Sequence, residues 1–488
     1  MPDPQLVCDR LAGRLATDDT NGLASAALTL WREPLEQPSA CDSVFEWLDR
    51  QGLLTPAQAA PLRQWARLLQ APKPALMQLA AQPTAAVDPA ALQAGFNRLT
   101  LLDSGAAAAL LPRLLARSDM NDALRAQLRR DAALGLAYDH DPAATAAFTA
   151  LPAQVIDAPV QQWRVRAALW IGDYRQALDW INQMPAALAA QPRWSYWRAR
   201  MVEIIEGPAA AAPLYAQIAS LRDYYGYLAA DRLHRGYELN VQPSPDDPAV
   251  QATLAAQPGL VRARELLACG LYDAAVAEWA AALDGAAPAL EIQAAHLAAS
   301  WGWYTQSIAT LARADEWNDV RLRYPRPYPA ALAAASALTR LPGDWILAVM
   351  RQESLFRRDA VSSAQARGVM QLRLATAAQV AQRWHLPPPD PDSLFDPMAE
   401  VPLGAAHLRE LLDRYDGQLA LALAAYNAGT APIARWLPQG SMDADVWIEN
   451  IPYNETRAYV EHILEHIVAY GWIRDARPPR LAALLAGA

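Results

Sequence analysis

From the N-terminus to about residue 320, apolar residues, chiefly Ala and Leu, recur at the three-to-four spacing of helices. Short Pro or Gly interruptions break the pattern, and β-branched alternation is almost absent. The pattern predicts paired helices. A phrase of the form Gly-x-Tyr-x-x-small recurs at Gly172-Asp173-Tyr174-Arg175-Gln176-Ala177, Gly270-Leu271-Tyr272-Asp273-Ala274-Ala275 and Gly302-Trp303-Tyr304-Thr305-Gln306-Ser307. The last two lie 32 residues apart and the first two 98, and Trp163 and Trp197, each followed by Arg, are 34 apart. Periods near 34 are those of helix–turn–helix solenoids. Gly supplies the turn, the aromatic wedges between helices, and the small residue permits close approach. The copies are degenerate, so the reading is a solenoid-like α-superhelix rather than a regular array.

Two segments mark boundaries. Leu221-Arg222-Asp223-Tyr224-Tyr225-Gly226-Tyr227-Leu228 is followed by Pro-rich text at Pro243, Pro245 and Pro248, a loop between helical blocks. Tyr324-Pro325-Arg326-Pro327-Tyr328-Pro329 cannot continue a helix, because alternate prolines remove donors and push their predecessors into extended conformations. The expected division is therefore residues 1–220 as an α-superhelical domain, 221–325 as a helical linker domain, and 326–488 as a last domain. In that domain helices are expected near 344–356, 403–415, 418–428 and 455–470, and Gly368-Val369-Met370-Gln371-Leu372 reads as a short strand or loop. The fold class is mainly all-α, with at most a very small β element.

One carboxylate is out of place. Between Asp344 and Phe356 the side chains Trp345, Val349 and Glu353 recur every four residues, so Glu353 stands where a core residue belongs. Desolvation disfavours a carboxylate anion, raises its pKa and makes the group a proton donor near neutral pH. The alternative is that Glu353 merely ends its helix and turns to water.

Composition and charge narrow the classes. The 488 residues exceed one hydrophobic core, and 53% hydrophobic with 19% charged residues exclude a mainly disordered chain. A net charge of −9, with no basic stripe interleaved with aromatics, argues against a nucleic-acid binder. Residues 351–383 differ, with six arginines against two acids, which would draw an anionic substrate unless they form an ordinary solvated face. No apolar run is long enough to span a bilayer. Met1-Pro2-Asp3-Pro4-Gln5 lacks the basic start and apolar stretch of a secretory signal, so the expectation is a cytoplasmic protein or one whose signal was removed before this numbering. Cys8, Cys41 and Cys269 show no zinc-ligand spacing. A Cys8–Cys41 bridge would contribute about 3–4 kcal/mol in the chain-entropy model, but with the compartment unknown the expectation is free buried thiols.

In order along the chain stand Glu353-Ser354-Leu355-Phe356, Ser362, Gly368-Val369-Met370-Gln371-Leu372, Leu403-Gly404-Ala405-Ala406, Ala425-Tyr426-Asn427-Ala428-Gly429 and Glu455-Thr456-Arg457-Ala458-Tyr459-Val460. This succession resembles the catalytic domain of the soluble lytic transglycosylases, with a goose-type-lysozyme-like fold. The helical text upstream is similar to the family's superhelical and linker domains. The resemblance implies cleavage of the β-1,4 bond between N-acetylmuramic acid and N-acetylglucosamine in peptidoglycan, closing a 1,6-anhydro ring. Glu353 would act as acid and then as base, the substrate's 2-acetamido group stabilising charge at C1. No second catalytic carboxylate is then required, and Asp359 reads as a turn or cap residue.

The resemblance also implies roles for neighbouring residues. Tyr426 would hydrogen-bond Glu353, with plain core packing as the alternative. Asn427 reads as a helix terminus first and a sugar contact second. Gln371 suits acetamido or hydroxyl groups, Ser362 a peptide or the turn, and Glu455 the groove as well as the helix dipole. The chain departs from the family where Arg373-Leu374 replaces Met-Pro, Gln365 a Gly, Glu400 an Asn and His407 a Tyr. Arg373 would meet the carboxylates of the stem peptide. No metal or organic cofactor is implied, the superhelix is a surface for protein partners, and the substrate implies a periplasmic location.

Three other readings compete. His462-Ile463-Leu464-Glu465-His466 matches the zinc-peptidase pattern H-x-x-E-H, but only 22 residues follow His466 and none is the Glu that would complete the site. The stripe Tyr459, Ile463, Ile467 and Tyr470 would leave both histidines on a flank or the surface. A hydrolytic muramidase using water, or a catalytically weak peptidoglycan-binding scaffold, shares the same residues.

Overall fold

The computed structural model describes residues 4–31, 41–475 and 477–486 and divides into two compact units, 1–167 and 168–488. In the first, short helices are started by side-chain caps. Asp88, Asp103 and Asn121 accept backbone N–H bonds at the heads of Pro89–Leu102, Ser104–Leu115 and Asp122–Tyr138. Leu92, Phe96 and Leu99 share a core with Leu128 and Ala132. A second core gathers Cys8, Leu11, Val44, Phe45 and Leu48. Within it Cys8 and Cys41 are bonded, their Cα atoms 4.8 Å apart. The expectation of free thiols there is corrected, because tertiary packing brings together two residues whose spacing of 33 says nothing of pairing. Cys269 is free and exposed.

The recurrent glycine phrase marks three equivalent turns in the second unit. Gly172, Gly270 and Gly302 each have φ +74°, and their N–H groups reach back to the carbonyls of Leu169, Leu267 and Ala299. The next helix then opens at Tyr174, Tyr272 or Tyr304. A left-handed residue closes a helix at little cost only when it is glycine. The hairpins Pro258–Ala268 with Tyr272–Ala282, and Pro288–Ser300 with Tyr304–Arg313, enclose Trp279, Leu260, Ala294 and Trp303.

After the proline-rich stretch, helix Pro329–Thr339 precedes Gly343–Ser354, and Pro397–Arg414, Leu419–Ala428 and Asn454–Asp475 follow. Two strands, Ala366–Arg367 and Leu372–Arg373, pair antiparallel in the register Ala366 with Arg373 and Arg367 with Leu372. The chain is thus mainly all-α with a very small β element. The glycine motif forms the hairpin's turn, so Gln371 lies in the turn at φ +51° rather than in a strand. No helix among the described residues is long and apolar enough to cross a membrane.

The second unit is tied together by buried charge. Arg193, on helix Pro192–Glu206, meets Glu449 at 3.0 Å and Glu461 at 2.9 Å. Tyr225 donates to both carboxylates and Trp197 to Glu449. Tyr196 donates to Asp445, and Glu465 accepts the backbone N–H of Tyr224. His466 is buried against Tyr324 and Arg351, which corrects its expected place on a flank, whereas His462 is exposed. Among the described residues no cluster suited to a metal ion occurs.

Candidate active site

Helix Gly343–Ser354 is buried on nearly every side from Ile346 to Met350, so its last turn is the first place a side chain can leave the core. Glu353 is half-buried there. The helix stops because Leu355 and Phe356 take left-handed φ of +50° and +69°. Their carbonyls are held from outside, Leu355 by the Thr305 hydroxyl at 2.9 Å and Phe356 by the Tyr328 hydroxyl at 3.1 Å. Two other elements thus fix the end of the helix that carries the acid.

The Tyr459 hydroxyl donates to Glu353 Oε1 at 2.6 Å. Burial pushes the carboxyl up to about 7; the Tyr459 bond opposes this and the nearby charge of Glu455 adds to it. Glu353 therefore exchanges a proton near neutrality, with acid and carboxylate forms both populated. It does end its helix, but its side chain is half-buried and bonded to Tyr459 rather than turned wholly to water.

Tyr426 does not make the bond expected of it. Its hydroxyl donates to the Met370 carbonyl at 3.0 Å, and its ring lies 5.2 Å from that of His407. Tyr459 is a partner of Glu353 that sequence reasoning missed. It stands in the last quoted motif but reads as one member of a core stripe, and a hydroxyl's target cannot be seen in periodicity.

The turn beside the acid is clamped on several sides. Glu400 is fully buried, with its carboxylate oxygens accepting from Val369 N at 2.7 Å and Met370 N at 2.8 Å. Burial pushes its carboxyl up to about 8 against these two donors. The Ser354 hydroxyl holds the Val369 carbonyl at 2.9 Å. Gly368 has φ +79°, and a Cβ there would lie 2.1 Å from the Leu394 carbonyl oxygen.

The other candidates are distributed as follows. Gln371 Nε2 donates to the carbonyls of Gly368 and Ala360, so its amide nitrogen serves the turn. Ser362 Oγ accepts from Ala366 N and caps the hairpin. Asn427 accepts from the Thr456 hydroxyl at 2.6 Å and donates to Glu455 at 3.4 Å, joining helix Leu419–Ala428 to the first turn of Asn454–Asp475. Glu455 and Arg373 are exposed. The arginine-rich stretch is not one cationic face: Arg351 is buried over Tyr324, Arg383 pairs with Glu410, and Arg357 pairs with Asp359 and Asp273.

One glutamate with a raised pKa thus stands at a helix end, beside a small β-turn in a helical domain that follows the helical hairpins, which is the arrangement of a lysozyme-like fold. Two family models match the chain, the transglycosylase SLT domain over residues 331–445 and the soluble lytic murein transglycosylase L domain over residues 253–320. The chain belongs to the soluble lytic murein transglycosylase family. The structure of an inactive mutant of lytic transglycosylase Slt from Pseudomonas aeruginosa is 30% identical, with a TM-score of 0.77 over 98% of this chain and 83% of that one. The soluble lytic murein transglycosylase of Escherichia coli K12 is 28% identical over 66% of this chain and 50% of its own. That of Salmonella typhimurium is 25% identical over 95% of this chain and 76% of its own. The chain thus spans about half the length of the Escherichia coli relative.

Proposed function

We propose that this chain is a lytic transglycosylase that cleaves the β-1,4 bond between N-acetylmuramic acid and N-acetylglucosamine in peptidoglycan. The observation that carries the proposal is Glu353, lifted to about 7 by burial and held by Tyr459. As the neutral acid, Glu353 gives its proton to the glycosidic oxygen and the bond from C1 to that oxygen breaks. As the carboxylate, it takes the proton of the muramoyl C6 hydroxyl while that oxygen bonds to C1, forming the 1,6-anhydro ring. No water is consumed and Glu353 ends as it began. The two neighbouring acids are otherwise placed, Glu400 on backbone N–H groups and Glu455 beside Asn427. The substrate's acetamido group then stabilises the charge at C1 in place of a second carboxylate.

Substrate contacts fall to Gln371, Asn427 and Glu455 for the sugars, to Ser362 and Arg373 for the peptide, and to Tyr426 for the wall beside the acid. Residues 326–488 form the catalytic domain, 221–325 the linker and 1–220 the superhelix, with peptidoglycan strands as the partner. The Cys8–Cys41 bond fits an oxidising compartment, and the substrate places the protein in the periplasm. The Pseudomonas relative was rendered inactive by exchanging a glutamate for glutamine, the exchange that Glu353→Gln would make here. Mass spectrometry of peptidoglycan digests tests the reading. Anhydro-muropeptides are expected; reducing-end sugars would mean hydrolysis, and no products would refute catalysis.

A further inference from the structure

Glu400, on helix Pro397–Arg414, is a buried carboxyl, 1% exposed, that the mechanism proposed above leaves idle. Its two oxygens accept from Val369 N at 2.7 Å and Met370 N at 2.8 Å. The Met370 N–H and the Val369 carbonyl belong to one peptide unit, and the far end of that unit takes the Ser354 hydroxyl at 2.9 Å. A single planar amide therefore stands between Glu400 and the residue that follows Glu353 in the chain. The next carbonyl, of Met370, takes the Tyr426 hydroxyl at 3.0 Å. Hydrogen bonds in series polarise one another, so an anion at one end of such a chain strengthens the links beyond it.

Among the described residues neither Glu353 nor Glu400 forms an ion pair. The groups that face them are few. Tyr459 and Glu455 on the last helix act on Glu353, Tyr426 lies close to both acids, and Tyr328 lies close to Glu400. Helix Pro329–Thr339 has no titratable side chain, and Arg383 of Leu374–Trp384 is paired with Glu410. On the hairpin Arg367 lies over the Phe395 ring and Arg373 is exposed. On the helix of Glu400 itself, Asp396 caps the first turn and His407 lies against Tyr426. Burial pushes the Glu400 carboxyl up to about 8 against its donors, and the charge of Glu353 adds to this. Like charges so placed are coupled: a proton on one carboxyl eases ionisation of the other, and the two titrate as a pair.

We infer that Glu400 is a positioning residue for the reaction proposed above: as an anion it anchors the turn through the Val369–Met370 peptide, and its charge makes the carboxylate of Glu353 a stronger base for the returning proton. The inference rests on the proposed function and deepens it. While Glu353 carries its proton, Glu400 ionises onto its two donors without facing a like charge. Once that proton has gone to the glycosidic oxygen, two buried anions face each other. The pull on the muramoyl C6 hydroxyl proton is then stronger than one carboxylate would exert. Glu400 touches no substrate and forms no bond to C1.

Three full-length variants test this. In Glu353→Gln the Glu400 carboxyl should titrate lower by about half a unit to one unit. Carbon-13 NMR of glutamate-labelled protein follows it, the signal being assigned by its absence from Glu400→Gln. In Glu400→Gln the alkaline midpoint of kcat/KM on soluble glycan strands should fall by a similar amount, because Glu353 has lost a neighbouring anion. Ser354→Ala releases the other end of the same peptide and leaves both charges in place, so its midpoint should stay within about 0.2 unit of the parent's. In both Ser354→Ala and Glu400→Gln, kcat at pH 6 should fall by at least about threefold. An unmoved Glu400 titration in Glu353→Gln, a midpoint in Glu400→Gln that stays or rises, or an equal shift in Ser354→Ala overturns the role of charge. An unchanged kcat in both variants overturns the anchoring. If no protein cuts any strand, the proposed function fails, whereas the NMR titration still decides whether the two acids are coupled.

Discussion

Replacing Tyr459 with Phe removes one hydroxyl from a buried, nearly isosteric site and leaves Glu353 without its 2.6 Å donor. A hydrogen bond to a charged group contributes about 1.5–3 kcal/mol. At about 1.4 kcal/mol per pKa unit, its loss should raise the Glu353 carboxyl by about one to two units. The direction follows from which form the hydroxyl favours: it stabilises the carboxylate, so without it the proton is held to higher pH. The folded chain places the group at about 7 with the bond in place, so the variant should titrate between roughly 8 and 9. The assay is kcat/KM on soluble glycan strands from pH 5 to 10, whose alkaline limb reports loss of the proton that Glu353 must donate. The midpoint should move upward, and the ratio of variant to parent activity should climb by about eight- to fiftyfold between pH 6 and 9. A midpoint that stays near its parent value, or moves down, would refute the assignment of Tyr459 as the group that tunes this acid.

Other outcomes follow from the same geometry. Glu353→Gln should abolish turnover and alter the pH dependence of stability. A folded-state pKa raised above the unfolded value contributes stability that is fully present below pH about 4.5 and is lost as pH rises through about 7. Denaturant titration should therefore show the Gln variant gaining on the parent between pH 5 and 8, by at most about 3 kcal/mol; a pH-independent difference would contradict this. Glu400→Gln leaves one acceptor where two backbone N–H groups point, and should lower stability by about 1–3 kcal/mol in thermal melts. Gly368→Ala and Gly172→Ala share a left-handed φ, but only the first drives a Cβ into backbone, so Gly368→Ala should be the more destabilising by at least about 2 kcal/mol and Gly172→Ala should cost about 1. Cys8→Ser with Cys41→Ser should weaken the first unit by about 3–4 kcal/mol in non-reducing denaturation; an unchanged midpoint would deny the bond a stabilising role.

The helical array could be read in the sequence because its turns need glycine, and the three copies at Gly172, Gly270 and Gly302 have the same φ. Glu353 could be read because a carboxylate on an apolar face violates the helix pattern. Its partner could not: Tyr459 belongs to the stripe with Ile463 and Ile467, and the three-dimensional packing of two helices decides where its hydroxyl points. The assignment of that role to Tyr426 failed for the same reason. Strand and loop stayed open for Gly368–Leu372 because two-residue strands are too short to show alternation; the four-residue turn between them holds Gln371. The Cys8–Cys41 pair and the burial of His466 depend on contacts distant in sequence.

The acids Asp445, Glu449, Glu461 and Glu465 find their counter-groups on residues 193–225, far earlier in the chain. Excising the stretch from 326 onward would orphan these four carboxyls in a greasy interior, and each would have to capture a proton or drag water inward. The segment bearing Glu353 is therefore not a detachable module. Unfolding of the Pro192–Arg232 helices and of the terminal helix should be a single event, and a protease nick near the middle of the chain would leave two fragments that still cling to each other.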